Sequence, residues 1–368
     1  MRLDFGKLGF GFLRLPLTDP NDSNSVDLEA TKKMVDIFLQ RGFRYFDTAY
    51  TYLNGRSEAC LREALVSRYP REAFMIATKM PCGILRKGKT AESVFEEQLQ
   101  RCGVDYFDVY LLHGLDAEDA EFAEKQGCFD FLQKLKEDGK VKYTGFSFHD
   151  KAEVLDKILT KHPEVDLVQI QLNYLDWGNP IIQSQACYNI CVKHNKPIVV
   201  MEPVKGGTLA AIPANAASLF YGEAPAHRAI RFAASQPGVS LVLSGMSTGE
   251  QVEENTFIMS SFEPLSQEET DVLWEAAEII RSSVAIPCTA CAYCEETCPM
   301  GIPIPKYFAL YNERARDGWQ VDTESRYSSI ALSLPRAKSC IECGNCENTC
   351  PQKIPVVSYL KKVSEAYD

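Results

Sequence analysis

This sequence predicts an α/β chain: an eight-stranded (β/α)8 TIM barrel followed by a small α-helical, cysteine-rich domain. Three observations carry that prediction. Short apolar runs alternate with amphipathic stretches over about 250 residues, which reads as repeated βα units around a parallel sheet. No Gly-x-Gly-x-x-Gly follows a strand in a βαβ setting, so the usual open-sheet fingerprint is missing and a closed barrel is favoured. Eight of the 14 cysteines fall between Cys288 and Cys350, where the composition turns to cysteine, proline and short helical pieces.

The 368 residues suffice for one large domain and a smaller one. A formal net charge of −11 argues against a binder of duplex nucleic acid, which would carry a basic patch or stripe. Met1–Gly6 shows no apolar core of signal-peptide length. Nowhere do roughly 18 apolar residues run together, so no membrane span is expected. The expectation is a soluble cytoplasmic protein with neither a nucleic-acid nor a membrane partner. A chain this long is not a disulfide-stapled mini-domain, so its clustered cysteines point to metal.

The elements follow in order. Leu8–Arg14 has strand-like content, with glycines where a ligand could approach the backbone; an opening hairpin or barrel plug is the other reading. From Ser25 to Gly42 the pattern is helical, with Ser25 as N-cap and Gly42 as a left-handed end. Further strands are expected at Phe43–Phe46, Ala73–Thr78, Tyr106–Leu112, Val141–Phe146, Leu167–Leu172, Pro197–Met201 and Val239–Leu243. Helices between them are expected at Ser57–Arg68, Ala91–Arg101, Glu121–Glu137, Lys151–Thr160, Ile181–His194 and His227–Ser235. Gln251–Ser260 and Ser266–Ser282 read as two more helices, and Ile286-Pro287 marks a boundary, giving domains 1–285 and 286–368.

In a parallel barrel the loops after the strands form the active-site face. Asp47 closes the second expected strand and Tyr52 follows on its loop; Lys79 closes the third and His113 the fourth. A lone lysine or histidine there is usually polar rim, but an acid, a phenol, an ammonium and an imidazole in this order suggest a tyrosine tuned to move a proton. A free phenol titrates near pH 10, too high for a good proton source at neutral pH, and an adjacent ammonium would bring it down.

These residues make the chain resemble the aldo-keto reductases over about residues 1–280, through Phe46-Asp47-Thr48-Ala49, Tyr52, Lys79, Leu111-Leu112-His113 and Glu254-Asn255. The resemblance implies Tyr52 as proton donor to a carbonyl, Lys79 and Asp47 as its tuning pair, and His113 as the group that orients substrate. It also implies a nicotinamide cofactor, since no side chain supplies a hydride. By position, Ser147 and Gln169 would hold the carboxamide. The Met201–Gly207 loop, with Met201, Pro203, Gly206 and Gly207, would cover the nicotinamide and pyrophosphate. Ser244, Gly245, Met246 and Ser247 would meet the ribose and its phosphate near a helix N-terminus. Gly11, Phe12, Gln251, Glu254 and Asn255 complete the expected contacts. For each glycine an ordinary turn is the alternative. The chain departs from the family in having Ser147-Phe148-His149 after the fifth strand, and Met201 where an aromatic usually stacks. The lysine and arginine that commonly clamp a 2′-phosphate are missing, so NADP and NAD both stay open.

Two cysteine runs, Cys288-x2-Cys291-x2-Cys294-x3-Cys298-Pro299 and Cys340-x2-Cys343-x2-Cys346-x3-Cys350-Pro351, share the spacing of bacterial two-cluster ferredoxins. Three close thiolates can reach three irons of a cubane, while the fourth points elsewhere. In those ferredoxins it ligates the other cluster. That likeness implies one [4Fe–4S] on Cys288, Cys291, Cys294 and Cys350, and a second on Cys340, Cys343, Cys346 and Cys298. Zinc also suits four thiolates, but two complete runs each followed by proline favour clusters. The connector of about 40 residues resembles helical two-cluster ferredoxins rather than compact β-rich ones, and several anaerobe reductases similar to this chain carry such a tail.

The expected function is nicotinamide-dependent reduction of a small-molecule carbonyl, or oxidation of an alcohol. The clusters would serve electron transfer or structure, with a ferredoxin or flavoprotein as redox partner. Two other readings remain: an electron-transfer module, and a nucleotide or redox sensor. Among the remaining residues, Cys60, Cys102, Cys187 and Cys191 read as buried helix packing. Cys82 could lie near the mouth and His149 could line it.

Overall fold

The computed structural model describes residues 3, 5–19, 22, 24–317 and 322–368, so Met1, Arg2 and Asp4 of the opening stretch lie outside it. Eight parallel strands close into a barrel in sequence order: β1 (Leu8–Gly11), β2 (Tyr45–Asp47), β3 (Met75–Pro81), β4 (Phe107–Leu115), β5 (Val141–Phe148), β6 (Leu167–Gln171), β7 (Ile198–Met201) and β8 (Val239–Gly245). β8 returns to pair with β1. The helices through the barrel are α1 (Leu28–Gln40), α2 (Ser57–Leu61), α3 (Cys82–Arg86), α4 (Ala91–Cys102), α5 (Ala117–Lys125), α6 (Cys128–Glu137), α7 (Ala152–Lys161), α8 (Ser184–Lys193), α9 (Ala214–Ala217), α10 (Pro225–Ser235), α11 (Gly249–Ser260) and α12 (Gln267–Ser283).

The pleat of the strands explains what ends up at the mouth. Side chains alternate between faces. Tyr45, Ala77, Leu111, Leu167 and Val199 lie in the barrel core, joined by Leu3 and Phe5 from the opening segment. Two residues further along each strand the same inward face carries Asp47, Lys79, His113, Gln169 and Met201. The outward residue Phe46 instead meets Phe10, Phe12 and Phe38. β5 keeps a glycine at the inward position before Ser147, because a Cβ on Gly145 would stand 2.2 Å from the Leu167 carbonyl oxygen.

Four local expectations need correction. The N-cap of α1 is Asp27, whose Oδ1 accepts from Ala30 N–H at 2.9 Å. Ser25 is not the cap, because its hydroxyl is taken by the Asp19 and Asp22 carbonyls at 2.8 and 2.7 Å. The stretch expected as one helix over 121–137 is two, α5 and α6, because Gly127 takes φ +66° between them. Past Leu61, α2 widens into a π-helical turn over Arg62–Val66. Lys79 and His113 lie two residues inside the ends of β3 and β4 rather than closing them.

The chain divides into two compact units, Met1–Pro203 with Ile230–Leu265, and Val204–Ala229 with Ser266–Asp368. The second contains α13 (Tyr293–Thr297), α14 (Ile304–Asp317), α15 (Thr323–Ile330), α16 (Asn345–Thr349) and α17 (Val356–Tyr367). Its core includes Ile286, Ile302, Tyr307, Phe308, Tyr327 and Leu360. Asn312 pins the start of this core by exchanging two 2.7 Å hydrogen bonds with the backbone of Ile286.

Candidate active site

The β2 loop is shaped to present Tyr52. Its N–H donates to the Ala49 carbonyl at 3.2 Å, and its own carbonyl accepts from Gly55 and Ser57 N–H at 3.0 and 3.2 Å. Leu53 and Asn54 take the left-handed region to close that turn. Ser57 ties it down, sharing a 2.7 Å hydrogen bond with Thr48 Oγ1 and donating to the Phe12 carbonyl at 3.0 Å.

The fixed phenol then meets the inward lysine of β3. Lys79 Nζ donates to Asp47 Oδ1 at 2.6 Å, to the Thr48 carbonyl at 2.9 Å and to Tyr52 Oη at 3.3 Å. The ammonium is fully buried. His113 packs edge-on against Tyr52 with ring centroids 5.6 Å apart. All four residues anticipated from the sequence therefore meet. Behind Lys79 lies a buried polar network that the sequence reading missed. Gln98 Nε2 donates to Glu58 Oε1 at 2.6 Å and to the Lys79 carbonyl at 3.2 Å, and Thr78 Oγ1 donates to Glu58 Oε1 at 2.7 Å. A glutamate and a glutamine on predicted helices are ordinary surface residues by pattern, so nothing in the sequence marked them.

Electrostatics corrects one expectation. Burial holds the Tyr52 phenol well above its ordinary value, with the Asp47 and Glu202 carboxylates adding to the effect. These effects outweigh any lowering by the Lys79 ammonium. Burial likewise pulls Lys79 down and pushes Asp47 up, each opposed by the other's charge. Burial, then Lys79 and His149, keep His113 far below its usual value, so its ring is neutral at physiological pH. Glu202 was passed over in the sequence although it follows β7 directly. It adopts φ +58°, and its carbonyl accepts from Asn173 Nδ2 at 3.1 Å. Asn173 is braced in turn by the buried Asp176 carboxylate at 3.0 Å.

The residues expected around a nicotinamide are distributed as follows. Ser147 Oγ accepts from Gly114 N–H at 2.7 Å and keeps its own hydrogen to donate. Gln169 Nε2 faces Met201 Sδ at 3.6 Å, while its buried Oε1 has no partner among the described residues. Asn255 Nδ2 donates to Ser244 Oγ at 3.1 Å, and Gln251 Oε1 accepts from Ser247 N–H at 2.7 Å. Arg14, not singled out in the sequence, lays its stem against Gly245 and accepts a 2.8 Å bond from Ser247 Oγ on its carbonyl. Gly11 pairs with Asp47 and Gly245 in the sheet, Pro203 is buried, and Glu254 is exposed on α11. Phe12 and Met246 are fully buried, so their side chains serve the core. Gly206 and Gly207 belong to the second unit.

A model of the aldo/keto reductase family matches residues 7–220. This chain belongs to the aldo/keto reductase family. Similar relatives include an aldo-keto reductase of Mycobacterium avium (strain 104), 28% identical over 255 residues that cover 68% of this chain and 84% of the relative. An NADH-specific methylglyoxal reductase of Escherichia coli (strain K12) is 28% identical over 187 residues, 46% of this chain and 54% of that one. Among solved structures, the fold is like that of an aldo-keto reductase from Bacillus halodurans (holo form), with TM-score 0.58, 20% identity and coverage of 75% of this chain and 95% of that one. It is also like an aldo-keto reductase from Klebsiella pneumoniae in complex with NADPH, with TM-score 0.57, 20% identity and coverage of 74% and 94%. This aldo/keto reductase is an oxidoreductase by family, and it carries a second domain: a model of a 4Fe-4S dicluster domain matches residues 287–354.

In that domain the two cysteine loops have the same backbone. Ala290 and Ala292 take positive φ two and four residues after Cys288, and Glu342 and Gly344 do so after Cys340. α13 and α16 follow. One cavity is lined by Cys288, Cys291, Cys294 and Cys350, the other by Cys340, Cys343, Cys346 and Cys298. Each thus draws its fourth cysteine from the opposite run. Elsewhere in this aldo/keto reductase, Cys60, Cys102, Cys187 and Cys191 are buried, and burial pushes their thiols up. Cys82 is equally buried at the start of α3, with Sγ 3.7 Å from the Asp119 carbonyl.

Among the described residues, no helix is long and apolar enough to cross a membrane.

Proposed function

We propose that this chain reduces a small-molecule carbonyl to an alcohol, or runs the reverse reaction, in the cytoplasm, with residues 1–285 as the reductase and 286–368 as the cluster domain. The observation that carries the reading is the buried contact of Lys79 Nζ with Tyr52 Oη at 3.3 Å and Asp47 Oδ1 at 2.6 Å. A nicotinamide nucleotide, when bound, supplies the hydride. Gln169 fits it, since a buried, unpartnered amide oxygen suits a carboxamide N–H donor. Ser147 would share that role. Ser244, Gly245, Ser247, Gln251 and Asn255 would hold the ribose end, with the Arg14 cation beside them. The NADPH complex of the Klebsiella pneumoniae protein and the NADH-specific Escherichia coli relative support either nucleotide.

Tyr52 Oη donates its proton to the carbonyl oxygen, and the Lys79 ammonium stabilises the phenolate left behind. Because burial keeps the phenol protonated, the resting site is set for reduction. Alcohol oxidation needs the phenolate and should quicken as pH rises. Neutral His113, edge-on to the phenol, orients the substrate oxygen. The test is Tyr52→Phe. Nucleotide affinity should hold while carbonyl turnover falls by about 10²–10⁴-fold. Unchanged turnover on a good substrate refutes the assigned acid.

The same reading assigns a [4Fe–4S] cluster to each cysteine cavity, on the ligand sets that line them. Each cavity has four cysteines spread around its wall in the two-cluster spacing, which suits a cubane. The paired cavities also favour a second role, the relay of single electrons to a ferredoxin or flavoprotein.

A further inference from the structure

The two cysteine cavities share a backbone but not their surroundings. Beyond its cysteines the second is walled by Pro299, Met300, Ile302, Ile341, Val357 and Leu360, with no polar side chain other than cysteine. The first includes Thr289 and Gln352 in its wall. Gln352 Oε1 lies 3.3 Å from Lys205 Nζ. Lys205 is only 3% exposed, and its backbone takes φ +48°, which a lysine rarely adopts. Its neighbour Gly206 presses so closely on the first cysteine loop that a Cβ there would stand 2.1 Å from the Thr289 carbonyl oxygen. Residues 205 and 206 are thus seated on the first cage, and a buried ammonium is delivered behind its wall.

We propose that Lys205 sets the first cage apart electrically, raising the reduction potential of its cluster above that of the second. The inference rests on reading the cages as [4Fe–4S] sites. Reduction adds one electron, from an external one-electron donor such as dithionite or a partner protein, to a centre already surrounded by four thiolates. A fixed cation in a low-dielectric wall favours that extra negative charge, and local charge is one of the factors that set cluster potentials. The second cage has no buried counterpart: the lysine that acts on its Cys340, Lys361, is exposed and answered by Glu342 at 2.8 Å. Electrons entering the domain would therefore rest on the first cluster.

The test uses the full-length protein purified without oxygen, with iron and sulfide assays followed by a redox titration monitored by electron paramagnetic resonance. Absence of iron and sulfide would overturn the cluster reading itself. With clusters loaded, the wild-type protein should reduce in two separate one-electron steps, and reduction of both clusters at one common potential overturns the proposal. Lys205→Met should move the higher-potential step downward and leave the other in place, while Lys205→Arg preserves both. A Lys205→Met titration that superimposes on the wild type also overturns it. Should that variant fail to load iron, the wild-type titration still decides.

Discussion

Replacing Lys79 by methionine keeps the bulk of the side chain and removes its charge. The ammonium is fully buried and has three oxygen partners, of which Asp47 Oδ1 at 2.6 Å is the nearest. Its loss strands a carboxylate that is 3% exposed and whose Oδ2 has no partner among the described residues. Breaking one side of a buried ion pair costs about 3–5 kcal/mol, because the remaining charge is left uncompensated. Removing both charges is far milder, since the desolvation of each disappears with it. Lys79→Met, Asp47→Leu and the double variant therefore form a cycle in which the double should recover up to about 3 kcal/mol relative to the summed singles. Hydrogen exchange of the β2 and β3 segments across a urea series reads the barrel without mixing in the cysteine-rich unit. Turnover separates structure from chemistry, because the double variant should regain stability and stay inactive. Single losses that add to within about 0.5 kcal/mol would refute the pairing.

Further outcomes are expected from the same structure. His113 is held far below the ordinary histidine value, so the unfolded chain takes up its proton near pH 6.5 while the folded chain does not. Stability attributable to His113 is therefore full above that pH and falls by about 1.4 kcal/mol per unit below it. Thermal midpoints of wild type and His113→Gln should converge as pH drops through this window, and parallel profiles would contradict the assignment. Gly145→Ala forces a methyl to within 2.2 Å of the Leu167 carbonyl and should lower the melting temperature, with a loss of at least about 1–3 kcal/mol. Cys350→Ser should perturb the same paramagnetic signal as Cys294→Ser and leave that altered by Cys346→Ser intact, although Cys346 is its near neighbour in sequence.

The barrel and the quartet at its mouth were legible because both rest on period and order. Apolar runs alternating with helices fix the strand count, and the pleat carries Asp47, Lys79 and His113 to one mouth without help from distant contacts. What escaped was whatever depends on residues far apart in sequence. The direction of the Tyr52 shift is set by burial, then by Asp47 and by Glu202, whose carbonyl Asn173 holds from the neighbouring β6 loop. The N-cap moved from Ser25 to Asp27 because the Ser25 hydroxyl had partners in its own turn. Gly127 split a helix whose apolar spacing ran on across it. Lys205 sits in a loop read only as a cover for the nicotinamide and pyrophosphate, and nothing local shows that Gln352 will meet it.

The crossing of the fourth cysteines has a consequence for how the cluster domain is made. Cys298 leaves its own run to complete the later cavity, and Cys350 travels back to complete the earlier one. Neither half of the duplicated motif is self-sufficient, so a ribosome that has released only the first run has made three sulfurs of a cage and the spare part of another. On the proposed cluster reading, maturation would wait for the last turn before α17, and a centre in each cavity would lock each half of the domain to its twin.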